Sequence, residues 1–249
     1  MSGHSKWATI KRKKAVTDAA RARIFSKYIK EITIAARVGG GDPDANARLR
    51  TAMATARSVN MPAHNIERAV ERGVGGGEGT NYEEAHYEGY GPRGVAILIE
   101  VATDNRNRTG GDVRSVLTKF GGSMAAAGAV AYLFKPRGLI EVPASAIGED
   151  ELMEIVLEAG ADDVSSEGES RQVLTPVAAF ESVKKALADA QIPLTTAEVT
   201  KIASVEVPLT EKEAAAALRL VDALEDNEDV QKVYANFSIA DDVLARLSL

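Results

Sequence analysis

Apolar residues recur at helical spacing through the first third of the chain. Between residues 18 and 38, isoleucine, phenylalanine, tyrosine and alanine side chains fall on one arc, as the 3.6-residue period of a helix requires. Glycine clusters interrupt this pattern twice, because glycine is too flexible for the interior of an element. The pattern predicts three short amphipathic helices: one at 18–38, one starting at Asp42–Pro43, and one from 60–65 to Gly73.

After residue 79 the apolar period changes to that of strands mixed with helices. Up to residue 136 we predict strands at 82–91, 94–103 and 129–134 and a helix that begins near Gly111 within 110–122. Residues 138–205 follow a β-α-β-β-α-β order, which is the ferredoxin-like split motif. A helix at 211–227 and a strand at 229–239 can complete the sheet of the preceding segment.

The sequence therefore predicts an α+β multidomain fold, in which three N-terminal helices precede two ferredoxin-like domains and the last is inserted into the middle one. The predicted boundaries are 1–78 for the helical domain, 79–136 with 206–249 for the discontinuous domain, and 137–205 for the inserted domain. Three domains following one another without insertion are the alternative arrangement.

Charge is distributed unevenly over these segments, although the 249 residues carry a net charge of only −6. Residues 1–72 hold 15 Lys and Arg against 6 Asp and Glu, whereas residues 138–205 hold 4 against 13. A basic front on an acidic protein suggests a polyanionic partner. The chain has no cysteine and no long apolar run, so we expect a cytoplasmic protein without disulfides or a membrane partner.

Two groups of residues are candidates for binding nucleic acid. The first combines a basic arc on the predicted 18–38 helix with the acid-poor segment before it, and Trp7 is the aromatic placed to stack on a base. The arc could equally be a solvated helix face, and Trp7 could pack on the helical domain. The members of this group are Lys6, Trp7, Lys11, Arg12, Lys13, Lys14, Arg23, Lys27, Lys30 and Arg37.

The second candidate group lies where the strand 94–103 ends and a helix begins, because free amides at a helix start attract phosphate. A capped turn, with Thr109 or Asp112 as the helix cap, explains the same residues equally well. The members of this group are Asn105, Arg106, Asn107 and Arg108.

Catalytic and cofactor chemistry finds little support in the sequence. Residues 89–94 fit G-x-G-x-x-G, but the segment precedes a strand where a dinucleotide site requires a helix, so we interpret it as a turn. His4, His64 and His86 lie in separate segments without metal-ligand spacing. We therefore expect no catalytic residue, no metal and no cofactor, and a protein that is not an enzyme.

Three stretches together resemble the YebC/PmpR family, which includes the mitochondrial translational activator of cytochrome c oxidase. They are GHSKWATIKRKK (3–14), NMPAHNIERAVERG (60–73) and DNRNRT (104–109). The resemblance covers essentially the whole chain and implies a helical domain and two α+β domains with a cleft between them, and no catalysis.

The resemblance also implies a regulator that binds nucleic acid, usually described as a DNA-binding transcriptional regulator. The mitochondrial relative points instead to a ribosome-associated translation factor that binds ribosomal RNA. Cations outnumber base-reading side chains in the front third, which favours backbone contacts and leaves this choice open. A protein partner at the acidic domain or the inter-domain cleft is a third expectation.

Overall fold

Three helices open the fold in the computed structural model, which describes residues 18–75, 81–167 and 169–247. They are α1 (Asp18–Gly39), α2 (Ala47–Ser58) and α3 (Ala63–Gly73). Ile32, Leu49 and Ile66, one from each helix, are fully or almost fully buried in a common core. Each of the three amphipathic helices predicted from the helical period therefore buries one face in this core.

The N-terminal end of α2 differs from the prediction. Asp42 and Pro43 do not start the helix, because the Asp42 carboxylate instead accepts a hydrogen bond from the Asp44 backbone at 2.9 Å, within a turn. Asn46 is the cap: its side-chain oxygen accepts from the Leu49 backbone N–H at 3.1 Å. The Asn46 amide also donates to two backbone carbonyls at the end of α1 and just beyond it, so one side chain joins the two helices.

Strands and helices alternate along the rest of the chain. In order they are β1 (Glu83–Tyr90), β2 (Ala96–Thr103), α4 (Arg106–Lys119), β3 (Ser123–Met124), β4 (Phe134–Pro143), α5 (Glu149–Glu158), β5 (Asp163–Glu167), β6 (Ser170–Thr175), α6 (Phe180–Asp189), β7 (Thr196–Ala203), β8 (Val207–Pro208), α7 (Glu211–Glu225), β9 (Val230–Ala235), β10 (Phe237–Ser238) and α8 (Asp241–Leu247).

One compact unit holds the described residues before 133 and after 204. Its sheet has the strand order β3-β1-β2-β9 with antiparallel neighbours. Helices α4 and α7 pack on the face that carries Ile97 and Ile99, contributing Leu117 and Leu220 to a shared core. As predicted, the end of the chain supplies strand β9, which pairs with β2, and helix α7, which packs on this sheet.

The other compact unit is residues 133–204, a four-stranded sheet of order β5-β6-β4-β7 with helices α5 and α6. This β-α-β-β-α-β arrangement is the ferredoxin-like motif. Ile140, Leu152 and Leu187 form part of its own core. The predicted fold class, with one ferredoxin-like unit inserted into another after three helices, is confirmed, whereas the three domain boundaries remain predictions.

One strand of the middle segment was predicted incorrectly. Residues 129–133 do not form a strand: 131–133 are a 3₁₀ turn, Phe134 begins β4, and the edge of the first sheet is the two-residue strand β3 instead. The buried Glu88 carboxylate accepts hydrogen bonds from the backbone N–H groups of Gly128, Val130 and Ala131 at 2.6, 2.6 and 2.8 Å. These amides are consequently engaged by a side chain rather than by a neighbouring strand.

Candidate nucleic-acid interface

The acid-poor N-terminal part of the first candidate group lies outside the described residues. This applies to Lys6, Trp7, Lys11, Arg12, Lys13 and Lys14. The described part of the group is the basic arc of α1, and the structure gives each of its four members an intramolecular partner.

The first half of the α1 arc contacts the C-terminal end of α7. The Lys27 ammonium donates to the backbone carbonyl of Glu225 at 2.6 Å, and Arg23 forms an ion pair with Asp226 at 3.2 Å. Glu225 is the last residue of α7, where carbonyls lack helical partners and the helix dipole attracts cations. These cations therefore hold α1 against the C-terminal end of α7.

Lys30 continues this contact in a buried position. Its ammonium lies 2.6 Å from the Asp229 carboxylate and 2.9 Å from the Glu228 carbonyl, and both charged side chains are only 8% exposed. The ammonium also lies 5.5 Å from the centre of the Tyr82 ring, within cation–π range. A phosphate cannot replace these partners without opening the interface.

Asp229 joins the two candidate groups. Besides the Lys30 ammonium, its carboxylate accepts hydrogen bonds from Arg108 at 2.7 Å and from the hydroxyls of Thr109 and Thr103 at 2.6 and 3.2 Å. Burial alone would raise the pKa of Asp229, but the hydrogen bonds from Lys30, Thr109 and Arg108 outweigh it and lower the pKa to about 2. Asp229 is therefore a permanent anion that neutralises cations from both predicted groups.

Arg37, the last member of the arc, lies at the exposed end of α1. Its guanidinium donates to the side chain of Asn81 and to the Tyr82 carbonyl, the latter at 3.0 Å. This contact fixes the end of α1 against the start of β1.

The second candidate group forms the first turn of α4, which begins at Arg106 and not near Gly111. Asn105 is the N-cap, accepting from the Arg108 backbone at 3.1 Å, so the predicted caps Thr109 and Asp112 were wrong. The cap lies farther upstream because Asn105, like Asn46, adopts the extended backbone that a capping side chain requires.

The two arginines of this group have carboxylate partners. Arg106 pairs with Glu83 at 3.2 Å and donates to the Glu84 carbonyl at 3.1 Å. Arg108 bridges Asp104 and Asp229, and the bonds to Asp229 and then Asp104 raise its pKa further above the usual arginine range. Asn107 is exposed. The structure thus supports the capped turn that the sequence left as one alternative.

An open cleft of about 430 Å³ lies beside this junction. Its charged lining is Lys30 and Arg108 against Asp104, Asp112, Glu228 and Asp229. Carboxylates outnumber cations there, so the local field disfavours a phosphate group. The cleft can hold the helices together through ion pairs, but its charge does not suit an anionic ligand.

Sequence reasoning missed the acidic segment that meets the basic arc. Asp226 and Asp229 lie about 200 residues beyond their partners, as the 198- and 199-residue separations of the Lys30 contacts illustrate. The available signal was the run LEDNEDV (224–230), whose negative charge complements the arc. The turn predicted at 89–94 is confirmed, since Pro92–Gly94 connects β1 to β2.

Within the described ranges, no group of three or more His, Cys, Asp or Glu side chains could hold a metal ion. Among the described helices, none has both the length and the apolar character required to cross a membrane.

Comparison with known proteins accounts for nearly the whole chain. Residues 5–76 match the "TACO1/YebC protein N-terminal domain" and residues 82–237 the "TACO1/YebC second and third domain". The chain is similar to a "Probable transcriptional regulatory protein" of Citrifermentans bemidjiense, with 54% identity over 247 residues that cover 99% of this chain and 100% of the relative. A relative of the same description from Chlorobaculum tepidum is 54% identical over 248 residues, 99% of each chain.

A solved structure has the same fold. The crystal structure of a conserved hypothetical protein from Aquifex aeolicus superimposes with a TM-score of 0.81 at 45% sequence identity, covering 92% of this chain and 95% of that one. Together with the helical front, the inserted ferredoxin-like unit and the full-length relatives, this agreement shows that the chain belongs to the TACO1/YebC family.

Proposed function

We propose that this protein is a non-enzymatic, DNA-binding transcriptional regulator that binds the phosphate backbone through its basic front, residues 1–72. The observation that carries the proposal is the charge segregation: residues 1–72 hold 15 Lys and Arg against 6 Asp and Glu in a chain of net charge −6. Full-length relatives named as probable transcriptional regulatory proteins support the regulatory part.

The mode of binding follows from the kinds of side chains in that front. Lysine and arginine neutralise phosphates and release counterions, which gives strong salt dependence and little sequence choice. Because all four cations of the described α1 arc have intramolecular partners, we assign the first contacts with DNA to Lys11, Arg12, Lys13 and Lys14.

The acidic inserted unit complements this arrangement. Residues 138–205 hold 4 Lys and Arg against 13 Asp and Glu, so DNA phosphates repel this part of the chain. Repulsion there confines the polyanion to the basic front.

The proposal is tested by the salt dependence of binding to a fluorescein-labelled duplex DNA of mixed sequence. Each phosphate contact contributes about 0.9 to the slope of log K against log salt, so replacing Lys11, Arg12, Lys13 and Lys14 with alanine should reduce the slope by up to about 3.6. Lys184→Ala with Lys185→Ala, which removes cations from the acidic unit, serves as the control and should leave the slope unchanged. A wild-type protein that does not bind the duplex would refute the proposal.

Crosslinking in cells, followed by sequencing of both bound DNA and bound RNA, tests the regulatory role. We expect enrichment of promoter DNA. Enrichment of ribosomal RNA without a promoter signal would overturn the DNA assignment in favour of a translation factor.

A further inference from the structure

We infer that three arginines of the second and third helices, Arg57, Arg68 and Arg72, form a second contact with the phosphate backbone of duplex DNA. They are called the α2–α3 arginines below. This inference rests on the proposed function, because it extends the basic front to a surface that neither candidate group contains.

The cations of α1 and those of the α2–α3 arginines have different partners. All four cations of the α1 arc donate to carboxylates, carbonyls or an amide oxygen of residues 81–82 and 225–229. Within residues 18–75, 81–167 and 169–247, no ion pair or side-chain hydrogen bond engages the α2–α3 arginines. Arg57 and Arg68 are exposed, and Arg72 is half-buried.

Helix α2 is basic along its whole length. The helix contains Arg48, Arg50 and Arg57 and no acidic residue. Its buried residues, including Leu49 and Ala56, face the helical core. The solvent side of α2 is therefore a basic surface without a carboxylate of its own, which suits a polyanion rather than a basic protein.

Helix α3 places its two C-terminal arginines close together. Arg68 and Arg72 are four residues apart, which places them on one side of the helix with a rise of about 6 Å between them. Glu67 and Glu71 precede them by one residue each, so they lie about 100° around the helix on a separate line. Arg68 and Arg72 can therefore contact one phosphate backbone, although Glu71, three residues after Arg68, lies about 60° from it around the helix.

The surface also explains a motif that the contacts of α1 leave unused. The stretch 60–73 is one of the three segments that carry the family resemblance, and it contains Arg68 and Arg72. Ile66 and Ala69 of this stretch are accounted for by the helical core, but the arginines are not. A phosphate contact gives these two cations a role.

Arg48 supplies a matched control on the same helix. Its side chain is 40% exposed, but it is held by Glu31 at 2.8 Å and by Glu84 at 2.6 Å. Bonds from Glu31 and then Glu84 raise its pKa further above the usual arginine range. Arg48→Ala removes the same charge from α2 as Arg57→Ala, but it removes a cation that is already neutralised.

The test is the salt slope of duplex DNA binding by the full chain, measured from about 50 to 200 mM salt. We expect the triple variant Arg57→Ala/Arg68→Ala/Arg72→Ala to lower the slope by up to about 2.7, since each lost phosphate contact removes about 0.9. Replacing the same three residues with lysine should restore most of the slope, and Arg48→Ala should leave it within error of the wild type. Thermal unfolding confirms that each variant is folded.

The outcomes separate this inference from the proposed function. If the wild type binds DNA and the triple alanine variant keeps the full slope, the second contact is refuted while the proposed function stands. An equal loss of slope in Arg48→Ala would also refute the second contact, because removing any positive charge from α2 would then reduce the slope by the same amount. If the wild type binds only duplex RNA, with the loss confined to that probe, the DNA assignment fails for both.

Discussion

Asp229 accepts hydrogen bonds from four side chains that belong to α1, β2 and α4. Its carboxylate is 8% exposed and lies 2.6 Å from the buried Lys30 ammonium. A buried ion pair adds little net stability compared with an apolar pair, but removing one partner leaves an uncompensated charge inside the protein. The architecture therefore depends on Asp229 more than its position in an acidic surface segment suggests.

Asp229→Asn should lower the free energy of unfolding by about 3–5 kcal/mol at neutral pH, because the amide cannot neutralise Lys30 and Arg108. Urea denaturation measures the change, and the double variant Lys30→Met/Asp229→Asn should recover part of it. The control Asp189→Asn, which breaks an exposed ion pair with Lys185, should cost less than about 1 kcal/mol.

The pH dependence of this effect follows from the lowered pKa of Asp229. The folded-state pKa of about 2 lies below the ordinary value of 3.8, so the stabilisation is present above about pH 4 and is lost as the pH falls towards 2. The difference in unfolding free energy between wild type and Asp229→Asn should shrink over that interval. A difference that stays constant down to pH 2 would contradict the assignment.

At the scale of elements, the period of the sequence predicted which segments are helices and strands, and local chemistry decided where they begin. Helices α1 and α3 and strand β2 lie within two residues of their predicted bounds. The starts of α2 and α4 were wrong because both helices are capped by an asparagine that competes with several nearby Asp, Thr and Pro candidates in the sequence. Only the backbone angles show which candidate caps.

The prediction of a strand at 129–134 was wrong because of a contact with a residue far away in the sequence. The apolar run has strand-like composition, but Glu88 on β1 binds three of the backbone amides of residues 128–131. Burial alone would raise the pKa of Glu88, but the hydrogen bonds from Val130, Gly128 and Ala131 outweigh it and lower the pKa. No short sequence window contains both the carboxylate and the loop, because they are about 40 residues apart.

Glu88→Gln should destabilise the protein by about 1–3 kcal/mol, since an amide has one acceptor oxygen and leaves a buried backbone donor unsatisfied. Hydrogen exchange at Gly128, Val130 and Ala131 should accelerate, while exchange in α5 stays unchanged. Glu154→Gln, an exposed glutamate on α5, is the control and should affect neither quantity. Unchanged protection of the three amides would show that the loop is held by other contacts.

At the scale of the whole molecule, charge and packing divide the chain in different places. The net charges of the segments separate a basic helical front from the sheets, but contacts place that front and the first sheet in one compact unit. The cations of the α1 arc are the reason, because they bind the 225–229 segment. The sequence showed that these cations share one helix face but could not show which distant segment covers it.

The inserted unit should fold when it is separated from the rest of the chain. Residues 133–204 contain all four strands of their sheet, both helices and a core that includes Ile140, Val156 and Leu187, each fully buried. We expect the excised 133–204 segment to unfold cooperatively in urea, and Leu152→Ala within it to lower its free energy of unfolding by about 2–5 kcal/mol. An exposed substitution, Lys184→Ala, should change it by less than about 0.5 kcal/mol.

Removing the inserted unit from the chain tests whether that unit is needed for DNA binding. A chain in which Tyr132 is joined by a short Gly-Ser linker to Val205 keeps the core shared by β2, α4, α7 and β9, so it should fold and retain DNA binding with an undiminished salt slope. The excised acidic unit should not bind DNA, because its carboxylates outnumber its cations. If the linked chain loses binding while remaining folded, then the inserted unit supplies more than repulsion and the basic front is not sufficient on its own.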